Sequence, residues 1–193
     1  MRIKLIKNIY WYPKKFYYHK MKIFQDVFTN DEVMSDIFPF TLDYDDVIMK
    51  VASKYKTKDS CGNVDIGCGN AFGGEEEGGD GEEPAEKVID VAFNAGLVET
   101  PFSKSDFMTF IKNYLKNMVA YLKENGKENR VADFQKGAQN FVKSVVPKFD
   151  DFTFYLGTSE SMDGALVLSF WENEEAAGPM FYFFKDGLKE IKC

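Results

Sequence analysis

Lys112, Lys116 and Lys123 stand four and seven residues apart. At about 100° per residue, a helix brings their ammonium groups within about 40° of one another. Such a stripe is a dock for an acidic partner such as an acidic protein tail, where local potential matters more than net charge; an ordinary solvated helix face is the alternative. The acidic run Glu75, Glu76, Glu77, Asp80, Glu82 and Glu83 offers oxygen ligands that suit calcium, a hard cation. The spacing is not that of an EF-hand, and ordering a Gly-rich segment costs entropy, so the expected affinity is weak and a solubilising loop is the alternative. Cys61 and Cys68 are seven residues apart with no second pair, a poor zinc pattern and not a CxxC redox centre. Cys193, the last residue, could link two copies by an intermolecular disulfide under oxidation. With His19 as the one histidine, triads and His-ligated metal sites are largely excluded.

The elements that must position these groups come from a chain of 193 residues, 45% hydrophobic and 16% aromatic, which is enough for the core of one domain. Thirty-one acids against 24 bases give a net charge of −7, which argues against a general nucleic-acid binder. Three cysteines do not make a disulfide framework and point to a reducing compartment. Charge is unevenly spread: Arg2, Lys4, Lys7, Lys14, Lys15 and Lys20 meet no acid in the first 20 residues, and removing their +6 leaves the remainder at −13. Tyr10, Trp11, Tyr12, Phe16, Tyr17 and Tyr18 crowd the same segment, yet every apolar run is too short for a signal-peptide core or a membrane span. It reads either as a membrane-surface or targeting arm or as a non-native leader upstream of a natural start at Met21, and the second reading is the expectation.

From Met21 the pattern turns regular. Lys22–Phe28, Asp43–Val51 and Lys87–Phe93 read as strands, and the Gly- and acid-rich stretch between about 54 and 86 reads as a disordered loop. Phe107, Phe110, Ile111, Tyr114, Leu115, Met118 and Leu122 recur as one buried helical face behind a Ser103 cap with Asp106, and Asn125-Gly126 ends that helix. A second amphipathic stretch, Val131 to Val145, stops at Pro147, so the two should form an antiparallel hairpin over about 103–146. Phe152–Tyr155, Gly164–Trp171 and Pro179–Phe184 read as further strands, and Asp150-Asp151 as an acidic turn. The class is α+β.

Residues 21–193 resemble the translationally controlled tumour protein family. The resemblance rests on "MKIFQDVFTNDEVMSDIF", "VIDVAFNAGLVETPFSK", "FIKNYLKNMVAYLKENGKENRVADF", "FDDFTFYLGTSESMDGALVLSFW" and "FFKDGLKEIKC". Thr158 stands where the family usually has Glu, and the loop reads "IGCGNAFGGEEE", with an extra residue before Asn70 and no serine after it. The resemblance implies β-tent sheets with a protruding helical hairpin and a flexible loop. It further implies a non-enzymatic cytoplasmic protein, also found outside cells without a signal peptide, that binds calcium and tubulin and is linked to growth and survival through small GTPases and translation elongation factors. It matches Glu32 in "TNDE" to an acidic residue proposed to touch a Rheb-type GTPase, the alternative being a turn or helix-cap carboxylate. It places the tubulin contact in the helical region that carries the lysine stripe. A different function remains open, a thiol-dependent redox enzyme of the methionine sulfoxide reductase kind, because β-tent folds host such enzymes and this chain carries three cysteines.

Overall fold

The structure, a computed structural model, describes residues 21–58, 86–173 and 175–192. Eleven strands are formed by these residues: β1 (Lys22–Asp26), β2 (Glu32–Ser35), β3 (Phe40–Asp43), β4 (Ile48–Ala52), β5 (Tyr55–Thr57), β6 (Lys87–Ile89), β7 (Val98–Glu99), β8 (Phe152–Leu156), β9 (Val167–Phe170), β10 (Met180–Phe184) and β11 (Leu188–Lys192). The helices are α1 (Asp90–Ala95), α2 (Lys104–Glu124) and α3 (Glu128–Val145). All pairing is antiparallel, in a six-stranded sheet ordered β3-β4-β10-β9-β8-β7, a three-stranded sheet β11-β1-β2 and the ribbon β5-β6. The α+β class is therefore as expected.

The six-stranded sheet is the middle layer. Strand side chains alternate between faces, and β10 shows what that requires here: Tyr182 and Phe184 join the core beneath the hairpin, while Phe181 and Phe183 join the core against the three-stranded sheet. A strand buried on both faces reads as a continuous apolar run, as Met180–Phe184 does. On the hairpin side, the α2 face from Phe107 to Leu122 packs along the sheet. Phe107 lies 5.3 Å from Phe154 and Tyr114 lies 5.4 Å from Phe184, ring centre to ring centre. The Ser103 hydroxyl caps α2 by accepting from the Asp106 amide at 3.2 Å. Gly126 (φ 69°) closes it, with the Lys127 amide donating to the Leu122 carbonyl at 2.8 Å.

Three expectations need correction. Asp43–Val51 is not one strand, because Tyr44, Asp45 and Asp46 all take left-handed φ values of 53°, 58° and 60° and turn β3 back along β4. That conformation costs a tyrosine roughly 1–2 kcal/mol, while aspartate adopts it more readily. Arg130 of α3 holds the turn by donating to the Asp45 and Asp46 carbonyls at 3.0 and 2.8 Å while pairing with Asp186 at 3.2 Å. Lys87–Phe93 is likewise a strand only to Ile89. The Asp90 carboxylate accepts from the Lys54 and Val91 amides, and α1 starts there. Finally, the loop expected from about 54 is paired at its root, where β5 runs antiparallel to β6. Asp150 and Asp151 end a 3-10 turn that runs Val146–Asp151.

Candidate functional site

Glu32 opens β2 opposite Gln25 of β1, so it is neither a turn nor a helix-cap carboxylate. The register slips here: Phe24 pairs with Met34 and Gln25 with Glu32, which leaves Val33 as an extra residue on β2. A bulge of this kind re-aims side chains. Val33 and Met34 are both buried as a result, and Glu32 faces outward. Beside it lies a groove of about 230 Å³. Met34 and Phe38 line it as buried residues, while Met21 and Ile37, 45% and 58% exposed, are its solvent-facing walls together with Ile23. α1 contributes Asn94 and Ala95 to its lining.

The turn that leads into Glu32 is a polar knot. Asp26 is buried at the end of β1, and its carboxylate accepts from the amide and the hydroxyl of Thr29, each at 2.8 Å. Burial pushes the Asp26 carboxyl above its ordinary range, against the pull of these bonds. Asp31 accepts from Thr29 at 2.9 Å, from Thr158 at 3.2 Å and from Ser159, tying the turn to the loop after β8. Burial works to raise the Asp31 carboxyl too, but the hydroxyls of Ser159, Thr29 and Thr158 outweigh it, and the net shift is downward. Thr158, at the position where the sequence departs from the family pattern, thus contributes a hydroxyl donor.

The second surface is the outer face of α2. Lys112, Lys116 and Lys123 are all exposed. Ion pairs among the described residues engage Lys22, Lys50, Lys58, Arg130 and Lys136, and none of the three stripe lysines. Lys116 also borders a crevice between α2 and α3 of about 290 Å³, lined by Leu115, Val119, Phe134, Gln135 and Gln139. The groove beside Glu32 does not follow from the sequence reading, because it is lined by segments that are distant along the chain, whereas the crevice lies between the two helices of the expected hairpin. Ile37-Phe38, an apolar pair outside any expected strand, is the nearest thing to a signal.

Glu75, Glu76, Glu77, Asp80, Glu82 and Glu83 lie outside the described residues, as do Cys61, Cys68, Cys193 and the leader 1–20. Among the described residues, no group of three or more His, Cys, Asp or Glu side chains is placed to hold a metal ion. No helix of the described residues is long and apolar enough to cross a membrane.

A central antiparallel sheet, faced by a helical hairpin on one side and a small sheet on the other, defines the structural class. Comparison with known proteins narrows it. The family described as translationally controlled tumour protein matches residues 21–189. The translationally-controlled tumor protein homolog 1 of Dictyostelium discoideum is 38% identical over 176 residues, spanning 89% of this chain and 99% of that protein. The homolog of Theileria annulata is 38% identical over 175 residues, spanning 88% and 98%. The solved structure of the translationally controlled tumor-associated protein p23fyp of Schizosaccharomyces pombe superposes with a TM-score of 0.72 at 34% identity, over 89% of this chain and 99% of that one. The Caenorhabditis elegans structure, at 24% identity and a TM-score of 0.61, agrees in fold. The chain belongs to the translationally controlled tumour protein family. The comparisons give the thiol-dependent redox alternative no support.

Proposed function

We propose that this is a non-enzymatic cytoplasmic interaction protein presenting two surfaces to protein partners. The lysine face of α2 takes the acidic tail of tubulin, and Glu32 contacts a small GTPase of the Rheb type. A link to translation elongation factors and weak calcium binding through the acidic run complete the reading; both rest on family membership. One observation carries the tubulin assignment: three exposed ammonium groups without a carboxylate partner among the described residues, on a chain whose net charge is −7. A local cationic face attracts an acidic tail whatever the overall charge.

Microtubule co-sedimentation tests this with the full chain. Exposed charge pairs are worth about 0.2–1 kcal/mol each, so replacing Lys112, Lys116 and Lys123 together by Glu should weaken binding about tenfold at low salt. The wild-type affinity should fall as salt is raised. Unchanged co-sedimentation of the triple variant returns the stripe to ordinary solvated surface.

A further inference from the structure

The groove beside Glu32 combines two features that a solvated surface does not require. Its walls are apolar and open to water, with Ile37 and Met21 as exposed as many surface polar residues. Its rim carries a carboxylate that makes no ion pair among the described residues. Clustered exposed apolar residues mark contact sites in soluble proteins. At about 230 Å³ the space is smaller than the 300–1,000 Å³ typical of small-molecule pockets, so it suits a single inserted side chain. Its floor does not adapt freely, because Met34 and Phe38 are packed into the core between the two sheets.

We propose that this groove binds a protein segment in which a lysine or arginine lies within one or two residues of a bulky aliphatic or aromatic residue. The cation pairs with Glu32 at the rim, and the apolar side chain enters between Met21, Ile23 and Ile37 onto Met34 and Phe38. Charge selects the partner, since an acidic segment would meet Glu32 unfavourably and belongs instead on the lysine face of α2. The proposal rests on Glu32 as a contact residue, and it adds the apolar element that a lone exposed carboxylate lacks. Apolar anchors in pockets commonly dominate such contacts, while rim charges set selectivity.

The test pans a library of random 12-residue peptides against the full chain, then titrates the enriched peptides while following backbone amide NMR shifts. Enrichment of basic residues next to Leu, Ile, Phe or Trp is expected, with shifts centred on Ile23, Glu32, Ile37 and Ala95. Glu32→Gln should lower affinity about threefold to fivefold, in line with one exposed ion pair. Ile37→Asp should lower it tenfold or more, without moving the unfolding midpoint, because Ile37 is 58% exposed. Glu32→Lys should recover binding to a peptide whose basic residue is replaced by Glu. Shifts centred on α2, or an Ile37→Asp variant that binds like wild type, overturn the proposal. Failure of any peptide to bind also overturns it. Titrating a purified Rheb-type GTPase in parallel separates the two ideas. Peptide recognition as described, with GTPase affinity indifferent to Glu32→Gln, removes the GTPase and leaves the groove.

Discussion

The lysine face of α2 and the Glu32 corner both offer charge that no ion pair engages among the described residues, but they are held in place by different physics. The lysines ride on a helix whose opposite face is sunk among Phe134, Phe141, Phe154 and Phe184. Their direction follows from period alone, so any residue at those positions would point the same way. Glu32 instead follows a turn fixed by carboxylate–hydroxyl bonds and a register slip against β1. Its direction depends on particular polar partners. A surface carried by an apolar stripe tolerates change on its exposed side, while a surface carried by a polar knot is sensitive to its immediate neighbours.

The largest expected effect attacks the stripe from below. Phe134 of α3 is fully buried, with its ring 6.5 Å from that of Phe184 in the sheet. Phe134→Ala should cost about 3–5 kcal/mol, the range for large-to-small core changes. Urea unfolding measures it. A loss well under 1 kcal/mol would mean that the hairpin is not anchored by its apolar face and would dissolve the contrast.

Next in size is the knot. Asp31→Ala removes an acceptor for three hydroxyl groups and should cost about 1–3 kcal/mol. The pH dependence carries a sign that separates Asp31 from Asp26. The folded-state pKa of Asp31 is lowered, so its stabilisation is present above the unfolded carboxylate value of about 3.9 and is lost as pH falls through the folded value. Asp26 runs the other way. Its pKa is raised by burial, so its favourable contribution is present below about 3.9 and is lost as pH rises through the folded value. Asp31→Asn should therefore flatten the acid limb of the stability curve. Asp26→Asn, which keeps an acceptor for Thr29, should gain on wild type toward neutral pH and lose that gain in acid. Unfolding curves from about pH 2.5 to 7 that move together for both variants would contradict this assignment.

These particular residues also mark where the sequence was readable. The spacing from Phe107 to Leu122 marks the buried face of α2, because a helix writes its burial into a single period; of its seven residues all but Leu115 are buried. The lysine stripe is the complement of that pattern and is legible for the same reason. The runs Leu166–Phe170 and Met180–Phe184 announce strands, since both faces of the middle sheet are covered. The turn at Tyr44–Asp46 leaves a weaker trace, Asp43, Asp45 and Asp46, which suit turns without fixing one. It contains no glycine or asparagine, and what holds it is Arg130, far along the chain. Asp90 breaks an apolar alternation through hydrogen bonds to the Lys54 and Val91 amides. The Glu32 groove was hidden for a related reason, because its walls come from β1, β2, the turn after β2 and α1. Contacts between distant segments, together with a one-residue slip in register, have no local period to betray them.

The smallest expected effect is the one that separates function from scaffold at the corner. Glu32 is exposed and takes part in no ion pair among the described residues, although it is adjacent in sequence to Asp31, which ties the turn together. Glu32→Gln keeps the shape and removes only the charge. Surface changes away from caps, cores and networks stay within about 0.5 kcal/mol, so its unfolding midpoint in urea should match wild type while Asp31→Ala falls clearly below it. A measurable stability loss in Glu32→Gln would place its carboxylate inside the knot. The apparent binding role of Glu32 would then be an indirect consequence of holding β2 in register, and of the two surfaces compared the lysine face of α2 would keep its charge available to a partner.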